Sequence, residues 1–375
     1  MFKRPLLNQV LGMLLTALLV IGCGAPAATP VAEAPAATAT PIPPTDTPMP
    51  VPPTDTPVPP TPTEPPSPPP SPTPADTPAA PGWTRKADMP TARLGLTTSA
   101  ANGKIYAICG LGGITKVEEY DPATDTWTEK ARMPSATWMH GAAVVNGKIY
   151  VIGGTKTLTS YSTATVHEYD PATDTWADKA EMLTARDSLA VAVVNDKIYA
   201  IGGFSSTSGS VARLLATVEE YDPATDAWTT KAEMPGKRSN PSSAVVDGKI
   251  YVMGGWPAPG SASASVLVYD PLTDSWAERA SLPAPRSVAA TSVVAGRIYL
   301  FGGLDDTKAT AVSTVFEYDP DTDTWQTKDN MPFEGQGLSA SALDGKVYVM
   351  GGSPGHLTQQ PYSTMVWEYD AASAE

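Results

Sequence analysis

The sequence predicts an all-β domain, a six-bladed β-propeller, preceded by a disordered Pro/Thr-rich tether. Three observations carry this. Six tryptophans (Trp83, Trp127, Trp176, Trp228, Trp276 and Trp325) recur at intervals of 44 to 52 residues, and periods near 50 belong to solenoids and propellers. Between them the same short words return in the same order. The 40 prolines of the 375-residue chain are also crowded, with 23 of them in residues 24–82. Residues 83–375 keep an ordinary share of proline, close to the usual ~5%.

Each word of the repeat has a local reading. In one unit, Ala142-Ala143-Val144-Val145-Asn146-Gly147-Lys148-Ile149-Tyr150-Val151-Ile152 is two apolar strands around a two-residue turn. Asn-Gly suits a type I′ turn, because both central residues need positive φ. The equivalent pairs are Asn102-Gly103, Asn195-Asp196, Asp247-Gly248, Ala295-Gly296 and Asp344-Gly345. The run Val166-His167-Glu168-Tyr169 is a third strand. Asp170-Pro171-Ala172-Thr173-Asp174 is a tight turn, in which proline presets φ and aspartate bonds nearby amides. The segment around Trp176 is the fourth strand. Four antiparallel strands per repeat make a propeller blade.

The double glycine after Ile-Tyr-x-Ile, the later Tyr-Asp-Pro and the following tryptophan closely resemble kelch repeats. The resemblance spans Trp83 to Asp370 in six copies and implies a β-propeller. Departures are few: Cys109 replaces the first glycine of its doublet, and Val268 replaces the glutamate before Tyr269. Counting strands predicts how the ring closes. The first tryptophan strand, at Trp83, precedes any Tyr-Asp strand, and the last Tyr-Asp strand ends at Asp370 without a tryptophan after it. The Trp83 strand must therefore complete the blade begun by the last three strands.

The N-terminus carries its own signals. Lys3 and Arg4 precede an apolar run from Val10 to Ile21. That run is too short for a finished transmembrane helix, which needs about 20 residues, but fits an export signal. Leu19-Val20-Ile21-Gly22-Cys23 resembles the bacterial lipoprotein signal, which implies cleavage after residue 22 and lipidation of Cys23. The expected organisation is a signal peptide over 1–22, a lipidated Cys23 with a disordered linker over 23–82, and the propeller over 83–375. The linker has no aromatic residue and only acidic charges, so it buries too little to offset its ordering entropy. The expected location is extracytoplasmic, at the surface of a bacterial membrane, with acylated Cys23 holding the lipid bilayer. With Cys23 lipidated, Cys109 has no disulfide partner.

Strand parity sorts the loops. The Asn-Gly and Asp-Pro turns share one face and are nearly uniform. The second-to-third connections (111–116, 155–165, 204–217, 256–265, 304–314 and 353–365) vary, and share the other face with the fourth-to-first connections. Recognition concentrates in variable loops on rigid scaffolds. Four residues past each Met-Pro-like word stand Arg93, Thr137, Arg186, Arg238, Arg286 and Gly335. The four arginines are expected either to form a basic ring at the channel mouth, where the guanidinium fork takes carboxylate, sulfate or phosphate, or to brace neighbouring loops. The repeats without arginine supply Trp138 with His140, and Glu334 with Gln336. Trp256 and Phe204 directly follow their double glycines, and Tyr161 sits in a variable loop. Aromatics beside polar groups suit sugar rings, or else cover loop cores. The candidate ligand-binding set is thus Arg93, Trp138, His140, Arg186, Arg238, Trp256, Arg286, Glu334 and Gln336.

Other chemistry is sparse. A net charge of −14 speaks against a nucleic-acid partner. The three histidines, His140, His167 and His356, form no metal-binding spacing, and His167 is expected at the surface. No catalytic residue, metal or cofactor is assigned. Copper oxidases built on kelch-type propellers need two histidines and two tyrosines, one cross-linked to cysteine, and no residues here match that set. The expected function is a binding module, with a monomeric propeller, for an extracellular protein or an acidic glycan. Two alternatives stay open: an enzyme of the sialic-acid mutarotase type, a class found among exported six-bladed kelch propellers, with Glu334 and a ring arginine, or a purely structural adhesion protein.

Overall fold

The computed structural model describes residues 80–156, 161–307, 310–355 and 361–372. Cys23, the signal, most of the linker and His356 lie outside the described residues. The described residues form six four-stranded antiparallel sheets and no helix. Blade 1 comprises Thr97–Ala101, Lys104–Ile108, Val117–Asp121 and Thr126–Lys130. Blades 2 to 5 repeat this order, with first strands Gly141–Val145, Ala190–Val194, Ser242–Val246 and Ala290–Val294. Blade 6 comprises Gln336–Leu343, Lys346–Ser353, Val366–Tyr369 and Trp83–Lys86. Its last strand is the N-terminal one: Trp83 pairs with Tyr369 and Lys86 with Val366. The first strands of successive blades adjoin one another, and those of blades 6 and 1 also meet, so the ring is closed.

Burial follows from stacking blades face to face. A second strand such as Lys148–Ile152 is buried at four successive positions, because both faces of the sheet meet a neighbouring blade. The core is accordingly divided among the six blade interfaces. One cluster joins Tyr150, Ile152 and Val166 of blade 2 to Ile198, Ala200 and Tyr221 of blade 3. All six two-residue turns take positive φ at both central residues, including Asn195-Asp196 and Ala295-Gly296. Cys109 adopts φ +51° where the other blades have glycine. It is fully buried with its sulfur 3.6 Å from Met133 Sδ, and burial pushes its thiol up to about 12, an unreactive state.

A polar clamp fastens five of the six interfaces. In blade 3, Asp226 Oδ1 accepts from Tyr221 OH and from the backbone N–H of Ala180, just after the last strand of blade 2. Trp228 Nε1 donates back to Ala180 O at 2.8 Å. The same three bonds centre on Asp125, Asp174, Asp274 and Asp323, with Tyr–Asp distances of 2.5–2.6 Å and Trp–Ala distances of 2.9–3.0 Å. The repeated Tyr, Asp and Trp thus work between blades.

At the interface of blades 5 and 6 the described residues do not form the clamp. The aspartate stands five residues after the tyrosine and two before the tryptophan in the other blades; counting from Tyr369 gives Ala374 and counting from Trp83 gives Pro81, so the sequence has no aspartate at either place. The buried Trp83 Nε1 and Tyr369 OH have no partner; Trp83 instead packs on Tyr369 and Phe301, with centroids 4.7 and 5.9 Å apart.

Candidate functional site: the channel mouth

The expected arginine ring is the first thing the structure redirects. Arg93, Arg186, Arg238 and Arg286 are 0, 0, 5 and 4% exposed, and none lines the channel mouth. Their side chains turn into their own blades. Arg93 Nη1 donates to Ala107, Cys109 and Lys116 carbonyls, and Nη2 pairs with Glu118 at 2.8 Å. Arg186 does the same with the Ala200, Gly202 and Thr217 carbonyls and pairs with Glu219. Arg286 lies over the Phe316 ring at 5.1 Å and donates to Thr314 Oγ1. Arg238 donates to Gly254 O at 3.1 Å, and its counterpart of Glu219 is Leu267. Desolvation lowers the pKa of Arg186, Arg238 and Arg286. In this arrangement the guanidinium groups hold the backbone and side chains of their own blades.

The remaining candidates separate as well. Gln336 is fully buried and donates through Nε2 to Gly355 O at 3.1 Å. Glu334 is exposed and outside the mouth. Trp256 Nε1 donates to Asp306 Oδ2 at 2.7 Å, tying the loops of blades 4 and 5. Phe204 pairs with Leu214 in a two-residue ribbon. His167 is buried rather than at the surface: its Nδ1 lies 2.7 Å from Asp178 Oδ1 and its Nε2 3.0 Å from Ser135 Oγ. It stands at the third-strand position of Glu118, in the blade where Thr137 replaces the arginine. Among the described residues no His, Cys, Asp and Glu cluster is arranged for a metal ion.

Trp138 and His140 do reach the mouth. They line a cavity of ≈ 240 Å³ at the variable-loop end of the channel, together with Thr97, Ser188, Asn240 and Ser339. Trp138 is held by pairing with Thr155 across a two-residue ribbon. His140 Nε2 lies 2.9 Å from Thr97 Oγ1, while the buried Nδ1 has no partner. Burial, with the nearby Arg93 charge, lowers His140 to about 4, so the ring is neutral at pH 7. Below the rim, hydroxyls continue the polar lining. Thr98 Oγ1 lies 2.9 Å from Ser339 Oγ, Ser243 donates to Val191 O, and Thr291 donates to Ser243 O.

The rim contains a feature that the side-chain pattern had not signalled. Two residues past each arginine position stand Gly95, Met139, Ser188, Asn240, Val288 and Gly337, all with φ between +51° and +62°. In that conformation five of the six N–H groups reach the preceding blade. Ser188 donates to Met139 O, Asn240 to Ser188 O, Val288 to Asn240 O, Gly337 to Val288 O and Gly95 to Gly337 O, at 2.8–3.3 Å. These bonds form a head-to-tail backbone belt around the mouth. A hint existed in the sequence, since glycine, asparagine and serine at one recurring position tolerate positive φ, but Met139 and Val288 obscured it.

A family model described as the KLHDC2/KLHL20/DRC7 Kelch-repeats domain matches residues 83–255 and, in a second register, 180–352. The solved structure of YjhT superimposes with a TM-score of 0.66 at 16% identity, covering 75% of this chain and 95% of that one. At that identity the likeness establishes the shared fold. No curated protein sequence matches the chain.

Proposed function

The chain belongs to the kelch-repeat propeller family, and from that premise we propose that it is a binding module holding a neutral sugar of an extracellular glycan in its channel mouth. The observation that carries this reading is the lining. Hydroxyls, one carboxamide and one indole converge there without a single Arg, Lys, Asp or Glu, and His140 is uncharged. Sugar hydroxyls match such donors and acceptors, and C–H faces stack on an indole. A sugar acid would be desolvated without a counter-ion. The ligand class is therefore shifted from the acidic glycan expected of an exposed arginine ring to a neutral one.

Calorimetry with neutral oligosaccharides tests this reading. Binding weakened about tenfold or more by Trp138→Ala, with the melting temperature kept, supports it. Binding only of sialylated or uronic oligosaccharides contradicts it. Accelerated exchange between sugar anomers, read by NMR, would instead assign the mouth to a mutarotase, with His140 as its titratable group.

The location follows from the sequence signals. In this proposal acylated Cys23 anchors the propeller outside a bacterial membrane, and residues 24–82 lift it from the surface. Loss of membrane retention and of labelled-lipid incorporation in Cys23→Ser is the expected result; retention of both would remove the anchor.

A further inference from the structure

The backbone belt around the mouth has six positions but five bonds. Every rim residue donates to the preceding blade except Met139: its N–H makes no bond to Gly95 O, and among the described residues neither group has another hydrogen-bond partner. Among the described residues the belt therefore ends in one donor and one acceptor, Met139 N–H and Gly95 O, at the boundary of blades 1 and 2.

The two residues flanking Met139 are Trp138 and His140. A Cβ built on Gly95 would lie 4.0 Å from the Trp138 ring, so the indole sits against the Gly95 side of the gap. His140, more than nine-tenths buried, carries the unpartnered Nδ1. The gap, the indole and the unsatisfied imidazole nitrogen thus coincide at one of six otherwise equivalent places. Chain topology does not account for this, because blades 1 and 2 are joined directly and both are complete. Unpaired polar groups in partly buried positions are costly, and a ligand that pairs them recovers that cost.

We propose that this open link is the seat of the ligand: a single sugar hydroxyl accepts from Met139 N–H, donates to Gly95 O and closes the belt, with its ring against Trp138. A hydroxyl offers both functions on one atom, which a carboxylate or an ammonium does not. The inference rests on the proposed function for its ligand class and adds the atoms that engage it. His140 Nδ1 is placed to take a neighbouring hydroxyl, as donor or acceptor according to its tautomer.

The test uses the full chain labelled with [¹⁵N]methionine, which gives 12 methionine positions, with the Met139 amide assigned by Met139→Leu. In the free chain, the Met139 amide exchanges with solvent faster than the amides of Ser188, Asn240 and Gly337, followed by uniform labelling. Methyl glycosides of glucose, galactose, mannose and N-acetylglucosamine are then added, with binding read independently by calorimetry. The expected result is a shifted Met139 amide whose exchange slows by about fivefold or more, the effect of one gained hydrogen bond. Glycoside binding that leaves Met139 unchanged overturns the inference and spares the proposed function. A Met139 amide already as protected as its three counterparts in the free chain overturns the inference by itself. Absence of binding by every glycoside, in calorimetry and in the methionine spectrum alike, overturns both.

Discussion

The ring is interrupted twice, at its outer clamp and at its inner belt, and the two interruptions differ in kind. The outer clamp of Tyr, Asp and Trp recurs at five interfaces and fails between blades 5 and 6. That failure has a cause in the chain: this is where the N-terminal strand completes the last blade, so the turn that carries the aspartate elsewhere is divided between the two chain segments, with proline at 81 and alanine at 374. The inner belt also recurs five times and fails between blades 1 and 2, where the chain is continuous. A break that topology explains is a closure seam. A break that topology does not explain, beside an indole and an unsatisfied imidazole, is the better marker of function.

The largest expected effect tests the closure seam. Deleting residues 83–92 removes the fourth strand of blade 6 and should abolish cooperative thermal unfolding; a deletion chain with native circular dichroism and a sharp transition would contradict non-covalent closure.

Next comes the contrast among the arginines. Arg186→Met leaves Glu219 buried without its cation and should cost about 3–5 kcal/mol in urea unfolding. Arg238→Met removes a guanidinium that no carboxylate meets among the described residues and should change stability by about 1 kcal/mol or less. Equal losses would show that the carboxylate partner is not what distinguishes these blades.

The clamp comparison is smaller. Asp174→Ala loses bonds from Tyr169 and Ala131, a cost of about 1–2 kcal/mol. Tyr369→Phe deletes a hydroxyl that has no partner and should be neutral or slightly stabilising.

The clamp also sets a pH response. Hydrogen bonds from Tyr221 and Tyr269, then from the Ala180 and Ala232 amides, hold Asp226 and Asp274 below the usual carboxylate range. A lowered folded-state pKa stabilises above the unfolded value of ~3.9 and loses that contribution as pH falls through the folded value. Unfolding midpoints should therefore drop below about pH 4, with a shallower drop in Asp226→Asn with Asp274→Asn.

How much of this was legible in the sequence depends on what carried each feature. Trp83 closure could be read by counting strands, because a missing tryptophan strand at one end matched a surplus one at the other. The I′ turns could be read from Asn-Gly, and their φ values follow. The arginines gave their place along the chain but not their direction. Glu118 and Glu219, two residues before Tyr120 and Tyr221, were the available signal that the guanidinium groups turn inward. His167 was misplaced for a related reason: its strand position alternates with Glu118 and Phe316, which reads as variable surface, yet the ring is buried, with Ser135 on one nitrogen and the exposed Asp178 on the other. Trp138 and His140 stood out because they replace the arginine word. The belt stayed hidden because backbone atoms carry it, and a backbone bond leaves a trace in sequence only where φ selects glycine or asparagine.

The central claim is that the unclosed mouth takes a neutral sugar. Its most direct measurement is calorimetric titration of the chain and of Trp138→Ala with matched neutral and sialylated oligosaccharides. Saturable binding of the neutral member, lost or weakened about tenfold in the variant and unaffected by Arg238→Met, is the predicted result. Binding confined to the sialylated member, or abolished by Arg238→Met with Trp138→Ala silent, would contradict it.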